Sequence, residues 1–533
     1  MMPNNYKGLN ISGLKSTTKL SRVQVEPTID FVEIVDRGSI SENPSKLRTV
    51  GAGHKKRSNA SPKSTVGKSI DMGGLWEIAA KYDYGNVSAD TFVVEEDSVW
   101  IKRRKLMNSA AAISVDWSNI TLEHTLDNPN PFGTSENDQF GMDLAMSSTH
   151  AIIGTYAEDD AGGTNSGKAY IFDLTTGSLL YTLDNPNPVG TSTDDWFAYS
   201  VAISDTYAIV GAFREEHNSV TGGDAGKAYI YKLSDGSLIK TLINRDTNGN
   251  PIGDLFGHGV AISDTHAIVS AWGEDWGSMG TVSGVGSVYI YDISPEGIVT
   301  GPRASMIISN PSDYPNGYFG WGVAMNDNYV IVTSPNDEVG KAYIFNVSDG
   351  SLVYTLDNPG GFDAASVNDN FGATRNFWHS TSQAAISDNY AIVSAPYEND
   401  ADGLFASGIV YVFDMSDGSL AHTLYNPNPF GTTQEDYFGM SVDLDGDFVI
   451  VGAPYEDDAG TNYAGKAYIF DLTDGSLVNT IDDPNAFGTT DNDRFGHAVA
   501  ISDGRLLISA SREDDGSGTS ANSSGKAYIF KLG

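Results

Sequence analysis

The chain has 533 residues, 40% of them apolar, no cysteine, and a formal charge of −37. The missing cysteine excludes a disulfide framework and any thiolate metal centre, and the length suffices to bury a large core. Fifty-eight Gly with 26 Tyr and 22 Phe favour strands and tight turns over long helices.

The charge is unevenly spread. Residues 1–118 carry 17 Lys/Arg against 13 Asp/Glu, and the rest carries 15 against 56. The acidic part is expected to repel nucleic acid and anionic membranes. The start, MMPNNYKGLNISGLKS, lacks the apolar run of a signal peptide, and no stretch of about 18 apolar residues occurs. Membrane insertion is not expected, and any extracellular site would be reached by a route other than a cleaved secretion signal.

Residues 1–118 do not repeat. Strand-like alternation occurs in RVQVEPTIDFVEIVDRG (22–38) and DTFVVEEDSVWIKRRKL (90–106). The polar, basic stretch 41–69 between them reads as a linker or as an arm that orders on a partner. The basic groups 54–57 and 102–105 suit docking to an acidic protein or nucleic acid, although a charge run of this kind is more often simply solvated. The region is expected to be a small anchoring unit.

From residue 119 the chain repeats. A Phe in a DxFG-like phrase falls at Phe140, Phe197, Phe256, Phe319, Phe371, Phe438 and Phe495, and the Gly opening GKAYIF or its variants falls at Gly167, Gly226, Gly286, Gly340, Gly408, Gly465 and Gly525. Seven units of roughly 60 residues result. The first reads as four strands: MDLAMS (142–147), AIIGT (151–155), KAYIFDL (168–174) and SLLYTL (178–183). In KAYIF both alternating sets are apolar, as a strand sandwiched between two neighbouring sheets requires.

The last unit stops after SGKAYIFKLG, one strand short, while NITLEHTLDNPNPFG (119–133) precedes the first unit and matches the fourth-strand phrase SLLYTLDNPNPVG (178–190). Pairing residues 120–126 with the final KAYIFKL closes a ring and protects the exposed edges. The expected fold is all-β, a seven-bladed propeller of four-stranded blades over 119–533.

The repeated phrases resemble the FG-GAP family, the repeat of integrin α-chain propellers and of many bacterial proteins. FG stands at residues 140–141, 256–257, 319–320, 371–372, 438–439 and 495–496, and GAP at Gly452-Ala453-Pro454. In integrins several repeats carry a calcium loop of the type DxDxDGxxD before the VGAP strand. Here that place holds short turns, at most VDLDGDFVIVGAP with Asp443, Asp445 and Asp447, too short for the usual six to eight oxygens. The integrin calcium sites are not expected.

In an up-and-down blade the 2–3 and 4–1 loops share one face. Here these loops are long and differ between copies, which makes that face the expected binding face. Its 2–3 loops are acidic: AEDDAGG, YENDADG, YEDDAG and REDDGSG offer Asp159, Asp160, Asp457, Asp458, Asp514 and Asp515 as oxygen ligands for calcium. The same composition suits solvated turns. RDTNGNPIGD places Asp246, Asn248, Asn250 and Asp254 at calcium-like spacing, with Pro251 where Gly is usual.

The fifth unit carries nine extra residues within ATRNFWHSTSQ (373–383), which puts Arg375, Phe377, Trp378 and His379 by the mouth of the central channel. An aromatic platform beside Arg suits sugar or peptide recognition, and an apolar plug over the channel would use the same residues. Trp272, Trp276 and Trp321 carry the same two readings. No HExxH, GxSxG or phosphate-loop motif occurs, so no catalytic residue is assigned.

The expectation is a non-enzymatic virion structural protein of phage tail-fibre, baseplate or capsid-decoration type. Residues 1–118 would bind other virion proteins within an oligomeric assembly, and the propeller would bind a host-surface glycan, a host protein or a neighbouring subunit. A bacterial surface adhesin or interaction scaffold is the first alternative, and a glycan-acting propeller enzyme the second.

Overall fold

The computed structural model describes residues 116–533, except for the segments 130–136, 160–162, 187–191, 217–222, 245–252, 276–283, 294–303, 361–368, 374–382, 400–403, 429–432, 458–461, 485–490 and 515–522. Before residue 116 it describes the backbone of five short strands. The chain divides into two units, Met1–Val115 and Asp116–Gly533.

In the first unit, Phe31–Val35 pairs antiparallel with Ser98–Lys102, which pairs with Phe92–Glu95. Lys7–Gly8 also pairs with Arg48–Thr49. The basic group 54–57 lies outside the described residues.

The second unit is built of seven four-stranded antiparallel sheets, each with its strands in chain order. The blades span 143–184, 200–243, 260–309, 323–357, 384–425, 441–482 and 495–532. The first strands of successive blades contact one another around the ring, and that of blade 7 returns to that of blade 1. These first strands are innermost and close the circle.

Blade 7 contributes Phe495–Ser502, Arg505–Ala510 and Lys526–Leu532; its fourth strand is Ile120–Asp127. The register runs from Lys526 opposite Asp127 to Leu532 opposite Ile120. Lys526 Nζ lies 2.6 Å from Asp127, and Glu123 takes Arg505 and Lys531, each at 3.0 Å. Just before this strand, Trp117 is 2% exposed, packs edge-on against Phe448, and accepts the Asn479 amide on its carbonyl. The incoming strand is thereby fixed to blade 6 as well.

The second and third strands are buried on both faces, as their doubly apolar sequence requires. The fourth strands face solvent and carry a register shift in six of the seven blades. Such bulges increase local twist and blunt an edge. The repeated Phe is fully buried in every blade and meets the Tyr of its own third strand, as Phe140 meets Tyr170 with centroids 6.0 Å apart. Its backbone also docks on the preceding blade, Phe197 N donating to Ser166 O at 3.1 Å. The Phe-Gly phrase therefore works as a joint between blades.

Candidate functional site

Adjacent strands run in opposite directions, so the 2–3 and 4–1 connections emerge on the same face. Three residue positions on that face recur. The third residue beyond the second strand is acidic in every blade and accepts the phenol of the third-strand Tyr. The pairs are Glu158–Tyr170, Glu215–Tyr229, Glu274–Tyr289, Asp337–Tyr343, Glu398–Tyr411, Glu456–Tyr468 and Glu513–Tyr528. These acids are buried, and burial pushes Glu158 up to about 8 against the Tyr170 hydrogen bond.

A second buried carboxylate stands two residues before the Phe: Asp138, Asp195, Asp254, Asp369, Asp436 and Asp493, with Gly317 in blade 4. An Asn at the exit of the preceding fourth strand donates to it. Asn128, Asn185, Asn244 and Asn426 reach Asp138, Asp195, Asp254 and Asp436 at 3.0, 2.9, 2.6 and 2.8 Å. Burial pushes Asp138 up to about 7 and both Asp195 and Asp436 up to about 8.

The loop residue after the buried acid caps its own loop. Asp159 accepts Asn165 N and Asp457 accepts Tyr463 N, both at 3.0 Å, while Asp275 and Asn399 receive Gly284 N and Ala406 N. The acidic phrases thus have a structural use: the first acid holds the tyrosine and the second holds the loop. Among the calcium candidates, Asp159 and Asp457 are engaged in this way, Asp254 accepts the Asn244 amide, and Asp514 is half-buried beside Asp493. Asp160, Asp246, Asn248, Asn250, Asp458 and Asp515 lie outside the described residues. Asp443 and Asp445, in the stretch compared with the integrin loop, accept the backbone amides of Ile501 and Asp503 in blade 7.

Trp272 follows the second strand of blade 3, and Trp321 precedes the first strand of blade 4, so both stand at the long-loop face. Their rings meet at 5.1 Å, but they are 8% and 7% exposed, packed with Tyr318 and His258. As a binding platform this pair is closed to solvent, because the approach of neighbouring innermost strands packs the rings together. His258 is fully buried, with Nδ1 3.1 Å from the Trp321 carbonyl, and burial lowers it to about 3. It is a neutral core residue. Arg375, Phe377, Trp378, His379 and Trp276 lie outside the described residues; the blade 5 innermost strand begins only at Ala384, after the extra segment.

Around blades 5 to 7 the aromatics reach the surface. Tyr397, Tyr437, Tyr455 and Tyr463 form a ladder with centroid spacings of 4.8, 5.0 and 5.5 Å, and Tyr463 is 40% exposed. Arg494 lies over Tyr455 with Cζ 4.4 Å from the centroid. Burial lowers the Arg494 pKa, and the neighbouring Arg512 adds to that effect. Neither arginine forms an ion pair among the described residues, and no acceptor reaches Arg494 Nε. The sequence reading missed this pair. Its one signal was that Arg494 and Arg512 fill positions held by Tyr437 and Tyr455 in blade 6.

Fold and repeated geometry together define a seven-bladed β-propeller, five of whose blades are similar to the FG-GAP repeat. The FG-GAP repeat family matches residues 133–172, 188–231, 242–291, 431–470 and 486–530. These segments fall in blades 1, 2, 3, 6 and 7; blade 4 has Gly317 in place of the buried Asp, and blade 5 carries the extra segment. No curated protein matches the chain. The repeat and the fold are those of a binding or interaction protein.

Proposed function

We propose that the chain is a non-enzymatic virion structural protein whose propeller binds a carboxylated glycan on a host surface. Residues 1–118 attach it to other particle proteins in an oligomeric assembly. The observation that carries the binding reading is that Arg494 and Arg512 stand beside a tyrosine ladder that reaches the surface at Tyr463, with no ion pair among the described residues, in a region with 56 acidic residues. A planar guanidinium pairs bidentately with a carboxylate, and tyrosine faces take the apolar face of a sugar ring. The basic balance of the leading region against the acidic propeller supports a division between attachment and display.

Two measurements test this. The full chain should bind arrayed sialylated or uronate glycans and lose at least about tenfold in affinity with Arg494→Ala and Arg512→Ala combined, a change of about 1.4 kcal/mol. Equal binding by the double variant removes the site. Mass spectrometry of purified particles should contain the chain, and its absence removes the virion placement.

A further inference from the structure

The three recurring positions differ in one blade. Elsewhere the residue after the fourth strand is Asn: Asn128, Asn185, Asn244, Asn310, Asn358 and Asn426. The equivalent residue leading into blade 7 is Asp483. An amide donor is thus replaced by a third acceptor beside Asp493 and Glu513.

The consequence is visible at Asp493. The residue is 4% exposed, and its Oδ2 receives no hydrogen bond, whereas Asp138, Asp195, Asp254 and Asp436 receive theirs from Asn. A buried charged oxygen without a donor is costly unless a proton or a cation compensates it. One ligand atom from each of Asp483, Asp493 and Glu513 lies within 4.8 Å of the others. Two oxygens on opposite sides of one calcium ion are about 4.8 Å apart, given Ca–O lengths of 2.3–2.6 Å.

We infer that Asp483, Asp493 and Glu513 hold one divalent cation of calcium's size between blades 6 and 7. Glu513 is fully buried and also accepts Tyr528, which fixes its carboxylate. Asp483 follows the outer strand Ser476–Asp482 of blade 6, Asp493 leads into the innermost strand of blade 7, and Glu513 follows its second strand. The ion would clamp the exit of blade 6 to the blade that also receives the borrowed strand. Burial and the carboxylates of Asp483, Glu513 and Asp514 raise the Asp493 pKa. The inference uses different residues from the glycan reading and stands apart from it.

The test uses the full chain stripped with EDTA. Calorimetric titration with calcium chloride should give a saturable site whose heat is lost in Asp483→Asn, and saturating calcium should raise the melting temperature by about 3 °C. Asp483→Asn installs the amide of the other blades, so it should fold, melt at or above the stripped wild type, and lose that calcium response. No heat and no shift in the wild type, or an equal response in Asp483→Asn, would overturn the site. A shift with magnesium but not calcium would overturn the assigned size.

Discussion

Gly525 lies against Phe140. A Cβ at Gly525 would fall 2.2 Å from the Phe140 carbonyl oxygen, and the glycine sits at φ +84°. The same approach recurs between each third-strand glycine and the Phe of the next blade, with Gly167 against Phe197 and Gly465 against Phe495. At Gly525 the contact joins the last blade to the first. Gly525→Ala should therefore lower the melting temperature clearly more than Gly446→Ala, where φ is +61° but nothing lies within 4 Å. Differential scanning calorimetry of the two variants decides this; equal losses would remove the joint.

Ring closure rests on Ile120–Asp127, which covers the open edge of Lys526–Leu532. Deleting residues 119–127 exposes that edge and removes the partners of Lys526, Arg505 and Lys531. The expected result is a melting temperature lower by about 10 °C or more, together with self-association seen by light scattering. Glu123→Gln should give a smaller loss that shrinks at high salt, because its pair with the half-exposed Lys531 is screened. An unchanged melt after the deletion would contradict the role of the borrowed strand.

Much of this architecture was legible because the relevant signals are local and repeat seven times. The Phe-Gly phrase, the doubly apolar third strand and the missing last strand each lie within a short window. The acidic loops were harder. Glu158 and Tyr170 are 12 residues apart, and nothing local indicates that the loop folds back to join them. The described acids Glu158, Asp159 and Asp457 accept hydrogen bonds that composition alone does not reveal. Trp272 and Trp321 likewise come from different blades, and only the packed ring shows that they cover each other. The Asp483, Asp493 and Glu513 set comes from three separate segments; its only trace in sequence is Asp where the other repeats have Asn.

The Glu158–Tyr170 pair gives a direct test of that structural use. Tyr170 donates to Glu158 Oε2 at 2.6 Å, and both residues are fully buried. Tyr170→Phe removes the donor while keeping the ring, and should cost about 1–3 kcal/mol in urea unfolding. With unfolding measured at pH 9, above the value of about 8 to which burial raises Glu158, adding Glu158→Gln should recover part of that loss by removing the buried charge. A double variant no better than Tyr170→Phe alone would show that the carboxylate is not what the tyrosine serves.

The buried aspartates predict an unusual pH dependence. Burial holds Asp195 and Asp436 near 8, well above the ordinary carboxylate range. Glu215 and Glu216 push Asp195 further up, while Lys227 and Asn185 pull it down; Glu456 and Asp457 oppose Asn426 and Asn428 at Asp436. The folded protein keeps these protons where the unfolded chain releases them, between about pH 4 and 8. The native state then binds more protons, so this contribution is full below about pH 4 and is lost as pH rises through 8. The melting temperature should fall from pH 5 to pH 9. Asp195→Asn and Asp436→Asn keep an acceptor for Asn185 and Asn426 but cannot titrate, so each should flatten the profile and melt higher than wild type at pH 9. A wild-type profile that rises over this range, or variants with an unchanged slope, would show that these carboxylates are ionised in the folded protein.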